Sequence, residues 1–349
     1  MILSDPLTQL DDIENIKKYK AAGLIATKTV NKILGNAKVG CKLIDLCTIG
    51  NEFVLTECNS IYEKIKHKGL SFPICLSVNE IAGYYIPEST DILKNGDILK
   101  IELGIHIDGF CAPICYTTII CDDKIDDKKK ENLLRAVTET SIQIMKMMKP
   151  GKTNIDVANI MGANANKYNC SIPLCEVDGF IPGIFSYQIS RYVMNGCNDD
   201  DDEFVHCFIL SKHNPNFDFT MCETVFEKDE VYAIDILMCS KNTSSNLVEL
   251  GKCNIYKRNK NSKSLKLNAS KEALNKFRGE VFPISLANCD TKIKLGIKEC
   301  IEKELVDTYP VVKCNKGEYL CRVMFTVIVN DNPIIISGKS ASDEFNKFM

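Results

Sequence analysis

The sequence predicts an α+β protein built from two related halves, with a basic segment inserted late in the chain. Three observations carry this. Apolar residues recur at helical spacing near the start of the chain and again after residue 128. The dipeptides Asn95-Gly96 and Asp108-Gly109 punctuate apolar runs of strand length, a signal for tight turns and hairpins. Finally, "DILKIEL" (97–103) aligns with "EVYAIDI" (230–236), which sets Glu102 opposite Asp235, each an acid just after an isoleucine.

Taken in order, residues 10 to 36 read as a helix on Leu10, Ile13, Ile16, Tyr19 and Leu24. A second helix is expected over 43 to 67. "LSFPICLSVNEIAGYYIPE" reads as extended and loop-like, with Pro73 and Pro87 as punctuation. A hairpin follows, turning at Asp108-Gly109. Helices are expected over 128 to 149, stopped by Pro150-Gly151, and over 153 to 168. "EVYAIDILMCS" (230–240) reads as a buried strand, and helices are expected near 270 to 279 and 292 to 305. The last hairpin, "YLCRVMFTVIVNDNPIIISG", turns at Asn330 to Asn332.

Composition narrows the function class. Of 349 residues, 45% are apolar and 26% charged, enough for a sizeable core. No apolar run reaches the roughly 18 residues of a membrane span, and the N-terminal stretch lacks the layout of a signal peptide. The 18 cysteines form no CxxC pair and no Cys/His cluster at zinc spacing, so they read as reduced thiols serving as small hydrophobes. The net charge of −3 argues against a generally basic nucleic-acid binder. It hides a split between the acidic "NDDDDE" (198–203), a solvated loop, and a run from Lys252 to Arg278 with nine Lys/Arg and one acid.

The first hairpin poses the sharpest chemical question. With the turn at Asp108-Gly109, Glu102 faces Cys115, and position 113 is its diagonal neighbour on the same sheet face, about 7–8 Å away. Two acids so placed could clasp metal ions about 3.5–4 Å apart. Position 113 is proline, which has no side-chain ligand. Glu102 and Asp235 therefore read as buried acids bonded to backbone or to a nearby lysine. His106, on the same strand face as Glu102, reads as a structural histidine.

The ordered set "FPICLSVN", "LKNGDILKIELGIHIDGF", "MKPG", "DEVYAIDIL", "IYKR", "LGIKECIEKEL" and "FTVIV" resembles the methionine aminopeptidase family. Within it, the chain resembles the type II-like proliferation-associated (ErbB-receptor-binding) proteins over roughly residues 12 to 340. Asp235 and Met324 lie 89 residues apart, which matches the type II insert. The resemblance implies a pita-bread (creatinase/aminopeptidase) fold with pseudo-twofold halves. It implies a core of 1–240 and 314–349 and an inserted basic helical subdomain over 241–313. Peptidases of the family hold two metals with Asp, Asp, His, Glu and Glu. Carried over by motif, these fall on Glu102, Pro113, a position near Ile184, Asp235 and Met324, and a substrate-facing His falls on Tyr84. Three of the five positions offer no ligand for a hard divalent cation. The resemblance thus implies no metal, no cofactor and no aminopeptidase chemistry, with Tyr84 a pocket-filling ring.

The basic run comprises Lys252, Lys257, Arg258, Lys260, Lys263, Lys266, Lys271, Lys276 and Arg278, with Tyr256 as a stacking ring. The bland alternative is a solvated face. In the resembled family this region contacts ribosomal RNA on the large subunit near the peptide exit, which implies RNA binding, other protein partners, no membrane, and a cytoplasmic location extending to the nucleus and nucleolus. Two further readings stand beside it: a metal-dependent methionine aminopeptidase with a degenerate site, and a peptide or protein adaptor using the empty cleft.

Overall fold

The computed structural model describes residues 10, 12–121, 127–175, 186–194, 208–209, 223–240 and 246–338. In chain order the elements are α1 (Ile13–Leu34), α2 (Leu43–Asn59), β1 (Lys68–Val78), β2 (Ile98–Ile107), β3 (Phe110–Ile119), α3 (Lys128–Met147) and α4 (Asn154–Lys167). They continue as β4 (Leu174–Cys175), β5 (Ser186–Ile189), β6 (Phe208–Ile209), β7 (Val231–Cys239) and β8 (Asn246–Arg258). The last are α5 (Asn268–Asn275), β9 (Ile284–Ser285), α6 (Thr291–Glu302), β10 (Val306–Lys313), β11 (Leu320–Ile328) and β12 (Ile334–Ile335).

Local chemistry sets the helix starts. Asp12 accepts from the Glu14 N–H at the head of α1, and Asp127 accepts from Lys129 and Lys130 at the head of α3. Thr153 and Asp156 form a reciprocal capping box on α4. The expected stripe of α1 is partly displaced. Tyr19, Ala22, Ile25, Ala26, Val30 and Ile33 are buried, whereas Ile13 and Leu24 are exposed. The second helix stops at Asn59, not 67, because Tyr62 takes a left-handed φ of 48° that a helix cannot continue through. "KGLSFPICLSV" forms one long strand at the sheet edge. Its register slips on either side of Phe72, which accommodates Pro73.

The main sheet runs β1-β2-β3-β11-β7-β5-β6, with β12 added to β11. The hairpin register is as expected: Glu102 faces Cys115, and Asp108 and Gly109 turn with φ of 55° and 86°. One line of paired residues crosses four strands, from Glu102 to Cys115, Met324 and Asp235. It is symmetric about the β3–β11 junction, which gives the weak internal repeat its physical basis.

All four N-terminal helices cover one face. Leu99, Ile101, Leu103 and Ile105 of β2 share a core with α1 and α2. Ile234 and Ile236 of β7 and Val323 and Phe325 of β11 share another with α3 and α4. Strand alternation then sends Lys100, Glu102, His106, Asp235, Arg322 and Met324 to the opposite face. That face is covered by the segment after β7.

This segment is not simply helical. β8 and β10 form a long antiparallel pair, joined by β9 and β4, and α5 and α6 pack on that small sheet through Phe277, Leu286, Ile293, Ile297 and Leu305. Lys252, Lys257 and Arg258 are strand residues. The apolar alternation in "NLVELGKCNIYKR" was obscured by its lysines, whose stems tolerate an exposed strand face. Replacing Thr153 with alanine removes one half of the α4 capping box, and urea unfolding should report a loss of about 1 kcal/mol.

Candidate functional site: a guanidinium between two carboxylates

Glu102, Met324 and Asp235 converge on the covered sheet face, and so does a residue the sequence reading missed. Arg322 lies two positions before Met324 on β11, hence on the same face. Its Nε donates to Asp235 Oδ1 at 2.8 Å and its Nη2 to Asp235 Oδ2 at 2.6 Å, a bidentate pairing. The same Nη2 lies 2.9 Å from Glu102 Oε1. Glu102 Oε2 accepts the Tyr84 N–H at 3.2 Å. All three side chains are buried. The partners expected for the two acids were backbone groups or a nearby lysine, and Glu102 does accept a backbone N–H. Lys100 is buried nearby, but it donates to the carbonyls of Asn79 and Leu320 instead.

The electrostatics follow from one cation shared by two anions. Burial pushes the Asp235 and Glu102 carboxyls up from their usual range, and Arg322 pulls them back only in part. Burial would lower the guanidinium, yet the Asp235 and Glu102 charges outweigh it and hold Arg322 protonated. Burying such a triad costs desolvation, so its presence specifies geometry more than it adds stability.

The neighbours fix the triad in place. Ser186 Oγ accepts the Asp235 N–H at 2.8 Å. The Tyr84 ring lies 5.4 Å from the guanidinium, and Phe72, Tyr84 and Tyr309 contact one another at 5.4 to 5.6 Å. Tyr84 thus packs among the aromatic rings beside the guanidinium. A Cβ on Gly83 would sit 2.3 Å from Arg322 Nη1, so only glycine leaves room for the arginine. The cleft that an adaptor reading requires is filled here by aromatic rings and the guanidinium.

These residues do not fit a pair of metal ions. Pro113 pairs with Gly104, two residues along β2 from Glu102; its carbonyl accepts from Thr326 and Ser337, and it offers no side-chain ligand. Met324 gives a thioether, a poor ligand for a hard cation. The two surviving carboxylates already share the Arg322 guanidinium, which would repel a divalent cation brought between them. Ile184 lies outside the described residues, as does the acidic run 198–203.

His106 is buried, accepts the Gly109 N–H on Nδ1 at 3.3 Å, and packs against His67 and Phe282. Burial and then His67 push its pKa down to about 4, against a smaller opposing pull from Asp108, so it is neutral at pH 7. It is a structural histidine, as expected.

The basic run is less uniform than the sequence suggested. Lys252 pairs with Glu88 at 2.7 Å and Lys263 with Glu304 at 2.5 Å. Arg258 donates to the carbonyls of Leu305 and Asn261, so it fastens β8 to β10. Tyr256 is not a stacking ring: it is buried in the small core and donates to the Cys253 carbonyl. Lys257 lies half-buried opposite Asp307 on β10, and Lys260 is exposed. Lys266, Lys271, Lys276 and Arg278 are exposed, and none forms an ion pair among the described residues. Lys294 and Lys298, one helical turn apart on α6, are exposed beside them. The sequence reading stopped at Arg278 and missed both.

Two outcomes test the triad and its surroundings. Arg322→Met should destabilise the protein by about 3–5 kcal/mol in urea unfolding, because two buried carboxylates lose their counter-ion. The triple variant Glu102→Leu, Asp235→Leu, Arg322→Met should recover most of that loss. His106 gives a pH signature. Its folded pKa lies below the unfolded value near 6.5, so the unfolded chain binds the extra proton. Stability should be intact above pH 6.5 and fall, by on the order of 3 kcal/mol, as pH drops to about 4. His106→Gln should flatten that part of the profile.

Comparison with known proteins agrees with this architecture. The profile of "Metallopeptidase family M24" matches residues 17–246. The chain is 31% identical over 331 residues to "ERBB-3 BINDING PROTEIN 1" of Solanum tuberosum, covering 91% of this chain and 80% of that protein. It is 30% identical to "Proliferation-associated protein A" of Dictyostelium discoideum, covering 93% and 82%. Among solved structures, a thermophilic Arx1 superposes with a TM-score of 0.78 at 20% identity, covering 94% of this chain and 91% of the other. The methionine aminopeptidase of Rickettsia prowazekii superposes with a TM-score of 0.58 at 16% identity, covering 94% and 98%. With the pita-bread sheet, the paired halves and two-thirds of its length matched, the chain belongs to metallopeptidase family M24, in the branch of the ErbB-3-binding and proliferation-associated proteins.

Proposed function

We propose that this protein is a catalytically silent member of its family that binds ribosomal RNA on the large ribosomal subunit. The observation that carries the loss of catalysis is Arg322. A guanidinium in place of the metals cannot bind and deprotonate a water, which is what the family's chemistry requires of its metal centre. The groups left in the centre bond to one another and are covered by Tyr84 and Tyr309.

The binding reading rests on the inserted segment. Lys271, Lys276, Arg278, Lys294 and Lys298 on and between α5 and α6, and Lys266 just before α5, lie exposed, and their side chains form no ion pair among the described residues. Arg278 also lines a groove of about 760 Å³ between α2, β1 and the loop 278–284, with Lys66 and His67 on its walls. Such a surface meets phosphates through charge and shape, with little reading of base sequence. Tyr256 plays no part in it. On this reading the protein acts in ribosome biogenesis or translation, in the cytoplasm and the nucleus, with other protein partners.

Co-sedimentation with purified ribosomal subunits across a salt series tests this. Association with the large subunit should weaken steeply as salt rises. Reversing Lys271, Lys276, Lys294 and Lys298 to Glu should abolish it and leave thermal stability nearly unchanged, because all four are exposed. Unchanged binding by that variant would refute the assignment of the surface, and turnover of an N-terminal Met peptide with bound metal would refute the silent centre.

A further inference from the structure

A second cluster of ligating groups lies on the same sheet face, apart from the arginine triad. Cys239 ends β7, Cys314 follows β10, and Glu318 lies in the turn before β11. Their two Sγ atoms and a carboxylate oxygen all lie within 4.8 Å of one another. Cys239 Sγ is 3.7 Å from Glu318 Oε2. Ligand atoms around a tetrahedral zinc, with bonds of about 2.0–2.3 Å, are themselves about 3.3–3.8 Å apart. Cys239 is four residues beyond Asp235, about 13 Å along the strand, so this cluster is separate from the degenerate centre.

The backbone holds each of the three groups independently. Cys239 exchanges hydrogen bonds with Ser171 in both directions, at 2.8 and 3.0 Å. The Cys314 N–H donates to the Glu80 carbonyl at 3.0 Å, and Glu318 closes a turn onto Asn315 at 3.1 Å. Ser240 Oγ accepts the Tyr319 N–H, which ties the end of β7 to the residue after Glu318. Ala82, Leu237, Leu247, Val312 and Leu320 form an apolar floor beneath the two thiols, while Glu318 sits at the half-exposed rim.

We propose that Cys239, Cys314 and Glu318 form a zinc site, with a water as the fourth ligand. Two thiolates select a soft-tolerant ion, and the added carboxylate favours zinc over copper(I). Zinc binding would release the thiol protons. Lys100 supports the balance of charge. Its buried ammonium is held by the Asn79 and Leu320 carbonyls. The two charges of zinc and the one of Lys100 match the three negative charges of the ligands. Mechanically, the ion would clip the exit of the inserted segment, at Cys314, to β7 and β11 of the core. That role does not depend on RNA binding.

The test uses the full-length chain, purified without chelator and desalted. Elemental mass spectrometry should find about one zinc per chain. Cobalt(II) added to metal-stripped protein should give a thiolate-to-cobalt charge-transfer band and the visible bands of a tetrahedral site. Cys314→Ala should lose both zinc and the charge-transfer band. Glu318→Gln, altered at the rim where folding is least disturbed, should retain less zinc. Stripping zinc should lower the melting temperature of the wild type and leave that of Cys314→Ala unchanged. Metal-free protein as isolated together with no cobalt spectrum would overturn the proposal. An intact mass 2 Da light, from a Cys239–Cys314 disulfide in freshly lysed cells, would overturn it as well.

Discussion

One buried guanidinium sets the terms for the centre of this molecule. Arg322 sits where the two halves of the sheet meet, and each half contributes one carboxylate to it. An unpaired carboxylate in that position would carry a desolvation penalty of several kcal/mol. The residues around it are therefore constrained in turn: Gly83 leaves room, Tyr84 lends its N–H and its ring, and Ser186 holds the backbone of Asp235. The arrangement joins the halves in the place where, in a peptidase of this fold, bridging metals would join them.

The charge of Arg322 also bears on the neighbouring positions of the sheet face. Once a single positive charge on a side chain stands between the two acids, a third carboxylate, on β3, would overload the site with negative charge. Pro113 and Met324 add none, and both pack in a buried sheet. The tyrosines above the triad then cover what would otherwise be an open cleft. Pairing of the two acids and packing of the aromatic rings around them are thus one structural arrangement, and the exposed lysines lie apart from it on the inserted segment.

Much of the fold was legible in the sequence for identifiable reasons. Asp108-Gly109 fixes a two-residue turn, and pairing from that turn dictates that Glu102 faces Cys115. Capping residues Asp12, Asp127 and Thr153 mark helix starts. The strand β8 was not legible, because lysines interrupt its apolar alternation and nearby helical segments dominate the pattern. The end of α2 depended on a left-handed Tyr62, which no local propensity announces.

The sequence by itself determined that positions 113 and 324 carry proline and methionine, neither of which offers a side-chain ligand suited to a hard cation. It also determined the spacing of Glu102 and Asp235 in equivalent strands. Only the tertiary structure decided what those acids do. Arg322 is 220 residues from Glu102 and 87 from Asp235 along the chain, and its single positive charge in "YLCRVMF" looks like any surface arginine. Its role arises because β11 lies between β3 and β7, which brings all three side chains onto one buried face. The same topology brought Cys239, Cys314 and Glu318 together and separated Tyr256 from the exposed lysines. Contacts of this kind are set by strand order, a property that short-range sequence patterns do not encode.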